Sequence, residues 1–159
     1  MFSPVWSTTI HEEWIKSRRA KFGDPLSRLE HARLQMEQAF PGANFDPDPT
    51  ALNTVSLPDT NDVHVVATAI AAQAQAIITY NHAHFPDRIL SPMGLRVETP
   101  DAFVSRLFPT NRTEILEGAR LHRASLKRPA YSGQAYVQHL ASQELARAAD
   151  LLRDFEHLI

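Results

Sequence analysis

The chain has 159 residues, a hydrophobic fraction of 43%, a formal net charge of −2 and no cysteine. This length suits one domain with an appendage, and the composition excludes disulfides, thiolate metal sites and cysteine nucleophiles. The overall charge demands neither nucleic acid nor a membrane surface as a partner. The sequence shows no apolar run of about 20 residues and no signal-peptide pattern, so we expect a soluble, cytoplasmic protein.

Charge is unevenly distributed along the chain. No Lys or Arg occurs between Leu34 and Asp87, a span that holds six acids. Six bases lie within Lys16–Arg33 and five within Arg112–Arg128. This pattern suits a cation site flanked by a phosphate-binding surface. Solvated helix faces give the same pattern, and charge alone favours that simpler interpretation.

Two helices are predicted before residue 42. The first begins near Ser7 to Thr9, with a capping box at Thr9–Glu12 and with Ile10 and Trp14 on its buried face. The second follows Asp24-Pro25, an N-cap with proline in the first helical position. Its stripe is mixed, with one charged residue among apolar ones, and consists of Leu26, Leu29, Arg33, Met36 and Phe40.

The middle of the chain alternates between strand and helix patterns. A short strand is predicted over Leu52–Leu57, and Asp59 is predicted to cap a third helix. Ala76–Tyr80 is apolar and β-branched, as expected of a strand buried on both faces. A further strand is predicted over Leu95–Glu98, and a helix from Thr99 to Phe108. This alternation indicates an α/β fold with a parallel sheet.

The chain changes character after residue 108. A charged helix is predicted over Asn111–Lys127, and one or two helices over Ser132–Ile159, with no strand pattern between them. We therefore predict a domain at 1–108 and a helical extension at 109–159.

Asp59 and Asp62 stand three residues apart at a predicted helix start. Residues at this spacing share a helix face, so both carboxylates could bind one Mg²⁺ or Mn²⁺ ion. Acids also cap helix starts, and the pair by itself favours that structural role.

Thr79 and Asn81 point to the same side at the end of a strand, and an Asn oxygen can ligate a hard cation. Asn is also common in turns that end strands.

Two further groups carry weaker signals. Glu13 lies beside the apolar stripe of the first helix, where a solvated Glu is the ordinary case. His82-Ala83-His84 could bind zinc, but the sequence supplies no third and fourth ligand at a fixed spacing. We expect His84-Phe85-Pro86 to pack against the end of the sheet. Neither a glycine-rich phosphate loop nor a Ser or Thr nucleophile motif occurs.

Several segments match one family in order and spacing. They are Ser7–Trp14, Leu57–Ala69, Ile77–Asn81, His84–Pro86, Gly94–Val97 and Pro100–Phe103. Together they resemble the PIN-domain family of metal-dependent nucleases, which includes the VapC-like toxins. Leu126-Lys127-Arg128-Pro129, with Tyr136 and Leu140, resembles an extension found in a bacterial subgroup of that family.

The resemblance implies an α/β/α sandwich whose acidic cluster binds Mg²⁺ or Mn²⁺ and hydrolyses RNA by activating water. Glu13 matches the family's helix glutamate, and Asp62 its main later acid, with Asp59 beside it. Asn81 stands after the strand where many members have Asp. Thr79 matches the threonine or serine that supports the site. The implied partners are RNA and an antitoxin protein.

The sequence departs from the family at its start. The family opens with a strand that ends in an aspartate ligand, and Met1 falls after that position. We expect this first strand to be missing, and its absence would leave backbone groups of neighbouring strands unpaired. We predict that a homodimer, a swapped element or a rearranged sheet covers them. Two functions follow as alternatives: a PIN-type endoribonuclease, or a catalytically impaired PIN remnant that binds protein or RNA.

Overall fold

The computed structural model describes residues 2–48, 50 and 56–159. Across these residues the chain forms eight α-helices, two short strands and several 3-10 turns. In chain order they are α1 (Thr8–Phe22), α2 (Leu26–Ala39), α3 (Val63–Ala71), β1 (Ala76–Ile78), α4 (Asp87–Leu90), β2 (Arg96–Glu98), α5 (Pro100–Leu107), α6 (Arg112–Ser125), α7 (Gly133–Ser142) and α8 (Ala146–Arg153). The predicted α/β class with a helical C-terminal part is confirmed.

Helix α1 begins at a different cap from the one predicted. The Ser7 hydroxyl accepts a hydrogen bond from the Ile10 N–H at 3.3 Å, so Ser7 is the N-cap and Thr9 lies inside the helix. The Asp46 carboxylate accepts from both the N–H and the hydroxyl of Thr8, at 2.8 and 2.9 Å. The predicted capping box at Thr9 is wrong because these groups already satisfy donors of the first turn.

The buried face of α1 is also shifted from the prediction. Its buried residues are His11 and Ile15, whereas Ile10 and Trp14 are half-buried. The Trp14 indole N–H donates to His11 Nδ1 at 2.9 Å, whereas His11 Nε2 is buried without a hydrogen-bond partner in the described part of the chain. The hydrogen bond to Nδ1 offsets part of the cost of burying the His11 ring.

Helix α2 is amphipathic only in part. Leu29 is its buried residue, and Leu26, Met36 and Phe40 of the predicted stripe are exposed. The predicted cap by Asp24 is wrong: Pro25 takes the N-cap position. The Asp24 carboxylate lies 2.6 Å from the Arg18 guanidinium, so it joins α1 to the start of α2.

Strands β1 and β2 form a two-stranded parallel sheet. The Arg96 N–H donates to the Gln75 carbonyl at 3.1 Å, and the Thr79 N–H donates to the Glu98 carbonyl at 2.9 Å. The prediction that β1 is buried on both faces is wrong, because Ile77 is buried and Ile78 is 40% exposed. The strand predicted over Leu52–Leu57 falls mainly on residues 51–55, which lie outside the described residues.

The described chain divides into two compact units. The N-terminal unit comprises 2–77 and 81–97, and the C-terminal unit comprises 78–80 and 98–159. The core of the N-terminal unit consists of Leu57, Val63, Val66, Ala69, Ile77, Phe85, Leu90 and Leu95. That of the C-terminal unit consists of Phe108, Ala119, Tyr136, Val137, Leu140, Ala149, Leu152 and Ile159. The domain boundary at residue 108 stays a prediction.

Within the N-terminal unit, Trp6 pairs with the segment that follows α2. The backbone N–H of Trp6 donates to the Ala43 carbonyl at 3.0 Å, and the Trp6 carbonyl accepts from the backbone N–H of Phe45 at 2.8 Å. These two hydrogen bonds make a parallel bridge between Trp6 and Asn44. None of the described helices is long and apolar enough to cross a membrane.

Candidate metal centre

A 3-10 turn, Thr60–Asp62, positions the two acids that precede α3. Asp59 is the N-cap of this turn, and its carboxylate accepts from the Asn61 N–H at 2.9 Å. Asp62 follows at the end of the turn, directly before buried Val63. The prediction that Asp59 caps α3 is wrong: Asp59 caps the 3-10 turn before it, and Asp62 takes the N-cap position of α3.

His84 completes a cluster with these two acids. Its Nδ1 lies 2.6 Å from Asp62 Oδ2 and 3.5 Å from Asp59 Oδ2. One ligand atom from each of the three residues lies within 4.8 Å of the others. The three side chains are between 23% and 38% exposed, so solvent reaches all of them. Two carboxylates and one imidazole form a donor set that fits a divalent cation.

Asn81 supports the turn that carries His84 through its backbone. It is the N-cap of the 3-10 turn His82–His84, and its carbonyl accepts from the His84 N–H at 3.3 Å. It lies outside the three-residue cluster, and its assignment to the site stays a prediction. The same holds for Thr79, which belongs to the C-terminal unit and whose N–H donates to Glu98.

Glu13 contacts a different histidine. Its Oε2 lies 3.2 Å from His64 Nε2, at an alignment outside that of a hydrogen bond. The opposite ring atom, His64 Nδ1, lies 2.7 Å from the Asn61 carbonyl. The His64 side chain is only 12% exposed and that of Glu13 is 52% exposed. The structure therefore places Glu13 beside His64, two residues after Asp62, and outside the cluster of Asp59, Asp62 and His84.

The approach of His84 to the two acids was not predicted from the sequence. His82 and His84 were considered together as zinc ligands, but His82 is exposed and His84 alone reaches the acids. One signal was available, because His84 follows the carboxyl end of a strand, where ligands gather in parallel α/β folds. Its contact with Asp62 joins residues 22 positions apart, which local sequence patterns do not reveal.

Many of the basic side chains outside the acidic span are paired. Arg18 contacts Asp24, Arg33 contacts Glu30 at 2.9 Å, and Arg120 donates to Glu117 at 2.7 Å. These exposed pairs agree with solvated helix faces, the simpler interpretation of the charge pattern.

An open concavity of about 660 Å³ lies beside α1 and α2, away from the cluster. Its lining residues are Glu12, Ile15, Lys16, Arg19, Ala20, Gly23, Asp24, Pro25, Leu26 and Glu30. Because it contains none of the three clustered ligands, we place the candidate chemistry at Asp59, Asp62 and His84.

Comparison with known families agrees with this geometry. A family model described as PIN domain matches residues 1–83, just over half of the chain, and one described as VapC50 C-terminal domain matches residues 100–154. The comparison with curated proteins and the comparison with solved structures gave no match. The first match contains both acids of the cluster and ends one residue before His84, and the second contains helices α5 to α8. The chain belongs to the PIN-domain family of VapC-like, toxin-type nucleases.

Proposed function

We propose that the protein is a metal-dependent endoribonuclease of the PIN type and the toxin of a toxin–antitoxin pair. The observation that carries this proposal is the convergence of Asp59, Asp62 and His84 in a chain of a nuclease family. RNA as substrate, an antitoxin protein as partner and Mg²⁺ or Mn²⁺ as cofactor are all parts of the proposal.

Each residue has a role in the proposed reaction. Asp59 and Asp62 would hold the cation through carboxylate oxygens, and His84 faces the same space with Nδ1. A bound divalent cation supplies a Lewis acid and lowers the pKa of coordinated water. We assign Glu13 to the site as a further carboxylate, which lies beside His64. We also assign Asn81, as a group that orients water.

Substitution of Asp62 tests the proposal directly. Asp62→Asn keeps the shape of the side chain and removes its charge, so we expect Mn²⁺-dependent cleavage of a mixed RNA substrate to fall by about 100-fold or more. Asp87→Asn is the matched control, because Asp87 is an exposed acid of the same lysine- and arginine-free span, outside the cluster. Cleavage that survives Asp62→Asn, or that is indifferent to a chelator, would contradict the proposal.

A second candidate function is a binding module derived from a PIN nuclease. The position of Glu13 favours this second function. Because Glu13 lies against His64, the cluster contains only the carboxylates of Asp59 and Asp62. This function predicts a stable homodimer in light scattering, with neither RNA cleavage nor Mn²⁺ binding. Measurable Mn²⁺ binding that Asp62→Asn abolishes would exclude it.

A further inference from the structure

The contact distances of His84 suit a ligand of the same cation that Asp59 and Asp62 would hold. Two ligand atoms bonded to one ion at about 2.1 Å, with a right angle between the bonds, lie about 3 Å apart. The distances from His84 Nδ1 to the two acids, 2.6 and 3.5 Å, lie on either side of this value. If these atoms moved by a few tenths of an ångström, His84 Nδ1 and the two carboxylate oxygens could all bind one ion.

The segments that carry the three ligands are anchored in one core. Leu57 lies two residues before Asp59, Val63 follows Asp62 and Phe85 follows His84. Leu57, Val63 and Phe85 are between 4% and 8% exposed and belong to the same apolar cluster. Burial of these neighbours fixes the backbone positions from which the ligands project, as a preorganised site requires.

The imidazole changes the type of cation that the site prefers. Mg²⁺ favours oxygen ligands and retains its waters, whereas nitrogen donors favour first-row transition ions. We propose that His84 Nδ1 is a ligand of the cation and makes the site selective for a first-row transition ion over Mg²⁺. This inference rests on the proposed function, because it concerns the same centre, and it specifies the cofactor further.

A purely structural role for His84 makes the opposite prediction. If the imidazole only donates its Nδ1 proton to Asp62, it occupies a carboxylate oxygen that a cation needs. Loss of the ring would then leave metal affinity unchanged or raise it. Coordination and donation exclude each other, because a ligating Nδ1 carries no proton.

Mn²⁺ binding to the full chain tests the proposal without any assay of activity. Free Mn²⁺ is counted by electron paramagnetic resonance, Mg²⁺ affinity is obtained by competition, and pulsed measurements detect ¹⁴N coupled to bound Mn²⁺. We expect ¹⁴N coupling in the wild type and none in His84→Gln. We also expect His84→Gln to lower Mn²⁺ affinity by about tenfold or more and Mg²⁺ affinity by less than about threefold.

Two histidine variants serve as controls. His82→Gln changes the exposed histidine two positions away, and His64→Gln changes the histidine that contacts Glu13. Both are expected to keep the ¹⁴N coupling. Bound Mn²⁺ without ¹⁴N coupling, coupling that persists in His84→Gln, or tighter Mn²⁺ binding by that variant would overturn the inference and leave the proposed nuclease standing. A wild-type chain that binds no Mn²⁺ would overturn both.

Discussion

The two compact units use their polar groups differently. In the C-terminal unit, the Asp101 carboxylate accepts from the N–H groups of Arg147 and Ala148, at 3.3 and 2.8 Å, and so caps the start of α8. In the N-terminal unit, Asp62 and His84 face each other beside a second carboxylate. Backbone hydrogen bonding explains the first arrangement. It does not explain why three ligand-type side chains meet in the second.

This difference assigns separate roles to the two units. We expect changes in the C-terminal core to alter stability and leave metal binding intact. Changes at the cluster should alter metal binding and have small effects on stability. Three sets of variants test this separation, in order of decreasing expected effect.

The largest expected effect is that of Gly133→Ala in the C-terminal unit. A Cβ atom at Gly133 would lie 1.9 Å from the Glu156 carbonyl oxygen, so the backbone at one of the two residues must move. We expect the free energy of unfolding, measured with urea and circular dichroism, to fall by about 3 kcal/mol. The folded variant should bind Mn²⁺ with unchanged affinity.

Gly118→Ala is the matched control for this substitution. Gly118 lies within α6, and a Cβ there would meet no atom within 4 Å. Alanine should raise stability by about 0.5–1 kcal/mol, because it lowers the entropy of the unfolded chain and favours helix. Equal effects of the two substitutions would show that the clash at Gly133 is absent. A loss of Mn²⁺ affinity in folded Gly133→Ala would show that the two units do not act separately.

The next effect separates the two roles of Asp59 in the N-terminal unit. Asp59→Asn keeps a side-chain oxygen that can accept from the Asn61 N–H, but it removes a charge from the cluster. We expect its Mn²⁺ affinity to fall by about tenfold with little change in stability. Asp59→Ala loses the cap as well, so it should also lower the free energy of unfolding by about 1 kcal/mol. If Asp59→Asn bound Mn²⁺ like the wild type, Asp59 would be a cap only.

Much of the fold could be predicted because local signals determine it. The β-branched run of β1 and the predicted helix start at Thr99 each act within a few residues, and the elements begin where these signals place them. The exposed face of α2 could not be predicted. A periodic apolar stripe indicates which side of a helix can be buried, but its neighbours decide how much of it is buried.

The candidate site could be predicted only in part for the same reason. Asp59 and Asp62 share one short turn, so their proximity follows from the sequence. The approach of His84 depends on how the segment after β1 packs on the core through Phe85. The contact of Glu13 with His64 likewise joins two helices that are distant in sequence, α1 and α3. Family resemblance identifies such a residue, but side-chain packing decides which group it contacts.

The smallest expected effect concerns the acid stability of the N-terminal unit alone. His11 is 2% exposed, and burial, the largest influence on it, lowers its pKa. The unfolded chain therefore takes up a proton near the ordinary histidine value of about 6.5, before the folded chain does. Stability from neutral His11 is fully present above that pH and is lost as the pH falls toward the lowered pKa of the folded state. Protonation of Nδ1 would also remove the acceptor of the Trp14 indole N–H.

Tryptophan fluorescence can measure this effect in one unit. The protein has two tryptophans, and the rings of Trp6 and Trp14 lie 5.4 and 6.1 Å from that of His11, all in the N-terminal unit. We expect the urea concentration at the midpoint of this fluorescence change to decrease as the pH is lowered from about 7.5 to about 5. His11→Asn offers an oxygen in place of Nδ1 and cannot titrate, so its midpoint should depend less on pH. Exposed His31→Asn should behave like the wild type. An equal pH dependence in His11→Asn and the wild type would assign the acid sensitivity to other groups, because His11 would then contribute nothing to it.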